Sequence, residues 1–122
     1  MFVTVARSGV HGHGCFTTRE VAVGEEVARN RVLLFRPEET ELLGRTRLKH
    51  YLFYVRDGAG DKPPYHTALA MGPVSFCNHS ADPNCDFRVD ESAAEVILTA
   101  RRPLRRNEEI TIDYGDYAGE VI

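Results

Sequence analysis

Hydrophobic and polar positions alternate along this chain in short runs, and turn residues break the runs roughly every eight to twelve positions. That rhythm predicts small β-sheets rather than packed helices. Residues 2–6 alternate and stop at Ser8-Gly9, and residues 15–18 form a second short strand after Gly12-His13-Gly14. Residues 27–35 read as a longer strand, with Val32-Leu33-Leu34-Phe35 as a buried stretch. Residues 48–55 are aromatic and β-branched and also read as strand; residues 66–70, 86–89, 95–100 and 109–113 complete the set. One short helix is expected over 37–43, with Pro37 early, acids in the first turn and Gly44 as its stop. Gly, Asp and Pro make residues 57–64 a loop.

A local echo sharpens this picture. Val23-Gly24-Glu25-Glu26-Val27 is matched by Arg106-Asn107-Glu108-Glu109-Ile110. Gly24 and Asn107 hold the same place, and both residue types tolerate positive φ. Two matching turns are expected, each launching a strand. The chain has no βαβ alternation, which argues against a Rossmann-type doubly wound fold. Gly12-His13-Gly14 also lacks the third glycine and the following helix of a dinucleotide fingerprint.

The 122 residues are read as one domain spanning 1–122, large enough for a modest core. No apolar run approaches the roughly 18 residues of a membrane span, and the N-terminus has no basic-then-apolar signal pattern. A cytoplasmic or otherwise intracellular, membrane-free location is the expectation. A net charge of −3 offers no basic excess, so no direct nucleic-acid contact is expected. Arg101, Arg102, Arg105 and Arg106 read as a solvated loop. Cys15, Cys77 and Cys85 are odd in number and contain no C-x-x-C pair. They read as buried thiols in a reducing compartment rather than as a zinc site or a disulfide framework.

Chemistry is concentrated in two segments near the C-terminus, Phe76-Cys77-Asn78-His79-Ser80-Ala81-Asp82-Pro83-Asn84 and Glu108-Glu109-Ile110-Thr111-Ile112-Asp113-Tyr114-Gly115. An isolated Asn-His is ordinarily a turn, and an isolated Tyr-Gly a strand end. Preceded by Gly9-Val10-His11-Gly12-His13-Gly14-Cys15-Phe16, the pair resembles the ordered motifs of SET-domain protein-lysine methyltransferases. The small size and Tyr51-Leu52-Phe53 are most similar to the minimal viral-type members, which lack flanking zinc regions. The resemblance implies a mostly β, β-clip architecture of several small sheets, few short helices and a C-terminal pseudo-knot that sets Tyr114 beside Asn78 and His79. It implies S-adenosylmethionine as cofactor, held by His11, Gly12, His13, Gly14, Asn78, His79, Tyr114 and Tyr117. Tyr114 is the implied catalytic residue, and Tyr51, Phe53 and Ile112 the implied substrate contacts. The implied partner is a lysine-bearing protein, a histone or another basic protein. Tyr51, Phe53 and Tyr54 read equally well as plain core, and the glycine spacing of His11 and His13 favours a cofactor loop over a metal pair.

The chain departs from much of that family at Ala81, where a cysteine commonly joins a zinc site, so no metal is expected. The minimal members partly cover their substrate channel by pairing, which implies a homodimer here. The resemblance implies that the position two before Tyr114 helps set how many methyl groups are added, and aliphatic Ile112 there is expected to allow higher methylation states. The alternatives are a non-catalytic SET module that binds cofactor or a partner, and a purely structural β domain.

Overall fold

The computed structural model describes residues 2–55 and 65–114. Among them lie nine strands: β1 Val3–Arg7, β2 His13–Thr17, β3 Glu26–Phe35, β4 Leu52–Tyr54, β5 Thr67–Ala70, β6 Asn78–His79, β7 Cys85–Asp90, β8 Glu95–Ala100 and β9 Glu109–Ile112. They build a four-stranded sheet in the order β1-β2-β9-β6 and a five-stranded sheet in the order β4-β5-β3-β8-β7. The expectation of several small sheets and little helix holds. Helix α1, Pro37–Leu43, has the expected bounds, and the Glu39 carboxylate accepts the Arg36 N–H at 3.0 Å at its start. None of the helices in the described residues is long and apolar enough to cross a membrane.

The alternation along the strands sorts side chains between core and surface. Val96, Leu98, Ile110 and Ile112 are almost entirely buried, with Val74 and Cys15 beside them. All three cysteines are free and buried. Of the four-residue stretch read as buried from the sequence, Val32 is in the core but Leu33 is 51% exposed, because alternation carries it to the outer face of β3.

The echoed turns fold as a matched pair. Gly24 and Asn107 have φ of 83° and 69°, and each turn hands over to a strand, β3 and β9 respectively. Glu25 accepts the Ala22 N–H at 2.9 Å, and Glu108 accepts the Arg105 N–H at the same distance. Gly24 N–H and Glu25 C=O bond to Ala100, while Asn107 N–H and Glu108 C=O bond to Thr17. An antiparallel bridge between Val21 and Leu104 locks the two turns together.

Residues 48–55 correct the sequence reading. Only Leu52–Tyr54 is strand; Arg47–Tyr51 is a 3-10 turn. The Thr46 hydroxyl accepts the Leu48 N–H at 3.2 Å and starts the turn, a local side-chain bond that competes with the extended form. A second 3-10 turn, Pro73–Phe76, was also not signalled by periodicity; the buried Asn30 side chain accepts the Val74 N–H at 3.0 Å and holds it.

Asn107 sits in the left-handed region, where a Cβ-bearing residue without a compensating side chain is penalised. Asn107→Ala should lower unfolding stability by about 1 kcal/mol, and Asn107→Gly should be near neutral, read from urea midpoints at unchanged slope. Equal losses for both would show that the side chain, not the backbone angle, is what the turn needs.

Candidate active site

Strand β9 fixes the site. It pairs antiparallel with β2 through Cys15↔Ile110 and Phe16↔Glu109, and parallel with β6 through Asn78↔Thr111 and His79↔Ile112. The pairing continues past the strand, with Ser80 N–H donating to Ile112 C=O at 2.9 Å. Tyr114 therefore lands on His79. Its N–H donates to His79 Nδ1 at 2.9 Å, and the two rings lie 5.0 Å apart. The Tyr114 hydroxyl donates to the Cys77 carbonyl at 2.6 Å.

The second wall is the loop between β1 and β2. Ser8 N–H closes it by donating to Gly12 C=O at 2.8 Å, and Gly12 takes φ of 49° at its tip. Asn78 Nδ2 lies 3.0 Å from His11 C=O and 3.2 Å from His13 C=O, so the Asn-His motif grips the glycine loop directly.

Aromatic rings form the rest. Tyr51 and Phe76 meet edge-on at 5.9 Å, and Phe53 and Phe87 at 5.1 Å. Together these elements enclose a pocket of about 690 Å³, within the range of small-molecule sites. It is lined by Val10, His11, Gly12 and His13 from the loop, by Cys77, Asn78, His79 and Tyr114 from the two motifs, and by residues 49–54 with Ser75, Phe76 and Phe87.

Most of the expected site residues meet here: His11, Gly12, His13, Asn78, His79, Tyr114, Tyr51 and Phe53 all line the pocket. Gly14 stands behind the wall, where a Cβ would run into the Glu109 carboxylate and lie 3.2 Å from Asn78 Nδ2. Ile112 is 1% exposed in the core and does not reach the pocket wall. Tyr117 lies outside the described residues. Of the three aromatic residues read equally as channel or core, Phe53 is buried and also lines the pocket, Tyr54 is half-buried at it, and Tyr51 is 39% exposed at it. Sequence reasoning missed Lys49, Phe76 as a wall residue, and Phe87. Phe76 is adjacent to the motif, but Phe87 is only one apolar position in an alternating strand.

Burial holds the Tyr114 phenol in its neutral form, with the Cys77 thiol and Tyr51 adding to the effect, and pushes its pKa up to about 12. Its proton is committed to the Cys77 carbonyl, so its oxygen is left with lone pairs to accept a hydrogen bond from whatever enters the pocket. Cys77 is itself held protonated by a hydrogen bond with Cys15 and by burial, and burial pushes Cys85 up to about 12. These thiols are inert packing groups rather than nucleophiles.

The SET-domain family pattern matches residues 12–115. Human histone-lysine N-methyltransferase 2B is 31% identical over 121 residues, covering 92% of this chain and 4% of that protein. A histone-lysine N-methyltransferase of Schizosaccharomyces pombe, specific for H3 lysine-37, is 29% identical over 107 residues, covering 87% of this chain and 68% of the relative. The chain thus spans a small fraction of the human relative and two thirds of the yeast one. Among solved structures, a Plasmodium falciparum protein described as a candidate histone methyltransferase superposes with a TM-score of 0.73 at 23% identity, over 94% of each chain. The Neurospora SET domain protein DIM-5, a histone lysine methyltransferase, gives 0.67 at 23% identity, over 93% of this chain and 52% of that one. At that identity both structures bear on the fold alone.

The raised Tyr114 pKa has a definite sign. The neutral phenol is favoured in the folded state, so its contribution to stability is present below the unfolded value of about 10 and is lost as pH climbs towards about 12. An absorbance titration of wild type minus Tyr114→Phe should place the missing ionisation near the upper value. A difference centred on the ordinary tyrosine range would contradict the buried, bonded phenol.

Proposed function

This chain belongs to the SET-domain family, and from that premise we propose that it is a protein-lysine N-methyltransferase using S-adenosylmethionine as methyl donor. The observation that carries the reading is the meeting of Tyr114, Asn78 and the glycine loop in one aromatic-walled pocket. Relatives named as histone-lysine N-methyltransferases support a histone, or another basic lysine-bearing protein, as the substrate. The free buried thiols support an intracellular, reducing setting.

The donor set suits the cofactor. Asn78 Nδ2 is turned back onto His11 and His13 carbonyls, which leaves Oδ1 to accept from the ammonium of the methionine portion. Backbone at His79 is the assigned contact for the adenine, Gly12 lets main chain approach closely, and Tyr117 is the assigned lid over the adenine. When bound, S-adenosylmethionine supplies a methyl group on a positively charged sulfur.

The protein's own part is positioning. A lysine amine must be neutral to accept a methyl group, and with a pKa near 10.4 that costs about 4–5 kcal/mol at pH 7. An apolar channel lowers the cost by disfavouring the ammonium. The rings of Tyr51, Phe76, Phe53 and Phe87 provide such walls and exclude water around the alkyl stem. The Tyr114 oxygen, which remains an acceptor, holds an N–H of the neutral amine and aims its lone pair. With its phenol neutral at pH 7, Tyr114 works as an orienting group and not as a general base.

Calorimetry and methyl transfer to purified core histones test this together. Wild type should bind S-adenosylmethionine and Asn78→Ala should bind it more weakly. Tyr114→Phe should keep cofactor affinity within about twofold and lose turnover on the order of a hundredfold. A wild type that binds no cofactor would overturn the reading, and one that binds it but methylates no lysine in histones or a basic peptide panel would favour the non-catalytic module. Full turnover by Tyr114→Phe would remove that residue from its role.

The same reading includes a homodimer. Support comes from the outer face of β3 and β5, where Leu33 and Met71 are 51% and 58% exposed beside Leu69. Sedimentation equilibrium should return twice the 13.7 kDa chain mass, falling to the single mass for Leu33→Asp. A wild-type monomer at micromolar concentration would contradict pairing.

A further inference from the structure

The two glutamates that open the last motif do different work. Glu108 serves the turn before β9, accepting from the Arg105 N–H at 2.9 Å and reaching Asn84 Nδ2 at 3.3 Å. Glu109 serves the pocket. Its Oε2 accepts from Asn78 Nδ2 at 2.8 Å, and both of its oxygens lie 2.7 Å from Ser8 Oγ. Ser8 Oγ in turn accepts from Val10 N–H at 2.9 Å and His11 N–H at 3.2 Å. No lysine, arginine or histidine among the described residues forms an ion pair with Glu109, so its half-buried charge is answered by these neutral donors.

One carboxylate therefore stands where three segments converge: the strand that leads to Tyr114, the Asn-His motif, and the loop that forms one pocket wall. The hydrogen count makes it decisive. Asn78 Nδ2 carries two hydrogens, yet four acceptors lie within 3.2 Å: Glu109 Oε2, His11 C=O, His13 C=O and Ser8 Oγ. The charged acceptor at the shortest distance takes the strongest bond. That bond commits Nδ2 to the loop and the carboxylate and leaves Oδ1 as the acceptor Asn78 has to offer. Gly14 completes the arrangement, since any side chain there would displace the Glu109 carboxylate.

We propose that Glu109 is a positioning residue that, with Ser8, clamps the residue 8–13 loop to Asn78 and sets the cofactor-side wall of the pocket. The role assigned to that wall rests on the methyltransferase reading; the clamp itself does not. Hydrogen bonds to a charged group are strong enough that losing one should weaken S-adenosylmethionine binding about tenfold in Glu109→Gln and in Ser8→Ala. The double variant should lose little more than the worse single one, because both changes cut the same link. Turnover at saturating cofactor should stay within about twofold, so the defect falls on cofactor KM rather than kcat, and Ser8→Thr should restore binding.

Amide hydrogen exchange gives a readout that needs no cofactor: Val10 and His11 should exchange faster in both variants, with β3 and β8 unchanged. Unchanged exchange at Val10 and His11 would overturn the clamp whatever the enzyme assay gives. So would a parallel fall in kcat and affinity that merely follows the folded fraction. Faster loop exchange in a protein whose wild type binds no S-adenosylmethionine would uphold the clamp and overturn the methyltransferase reading alone.

Discussion

The position of β9 is the constraint on which the rest of the structure depends. Its four residues are held by β2 on one side and β6 on the other, and the Asn84 side chain closes the remaining gaps. Asn84, 3% exposed, donates its amide to Glu109 C=O at 2.7 Å and accepts from Thr111 N–H at 2.9 Å. Its own N–H reaches Thr111 Oγ1 at 3.1 Å. A buried asparagine thus acts as a fragment of strand. Without it, partly buried main-chain groups on β9 would lose their partners, at a cost of about 1–3 kcal/mol each. The last residue of the Asn-His motif is in this sense structural, while the first, Asn78, faces the pocket.

From that placement the division of labour follows. A short parallel pairing sets Tyr114 on His79, and the Cys77 carbonyl fixes the direction of its hydroxyl. Burial keeps the phenol protonated, which suits a group that orients an amine and does not suit a base. The carboxylate of Glu109 faces the other way, towards the glycine loop. One strand so serves two sides of the pocket, its first residue bonding to Asn78 and Ser8 and the residue two positions past its end carrying the phenol that reaches the Cys77 carbonyl.

Much of this was legible in the sequence because it is local. Alternation placed most strands to within a residue or two, and the repeated Gly/Asn-Glu-Glu pattern announced two turns that do adopt positive φ. The ordered motifs named many of the residues that line the pocket, His11, Gly12, His13, Asn78, His79 and Tyr114 among them. What escaped was non-local or decided by single hydrogen bonds. The Thr46 hydroxyl converts the start of an aromatic, strand-like segment into a 3-10 turn. Strand β6 has two residues and exists only because β9 comes to lie beside it. Phe87 reaches the pocket by packing on Phe53, which no spacing along the chain reveals. Ile112, a substrate contact implied by the family resemblance, is buried in the core because alternation along β9 sends it there with Ile110.

If the proposed function holds, the one pocket built by the union of loop, Asn-His motif and β9 receives the cofactor. The most direct test is backbone amide chemical-shift mapping by NMR during titration with S-adenosylhomocysteine, the spent form of the proposed donor. Saturable shifts should concentrate at Val10, His11, Gly12, His13, Asn78, His79 and Tyr114, with the outer face of β3 and β5 silent. Saturable shifts centred elsewhere, or none at millimolar ligand, would contradict that assignment.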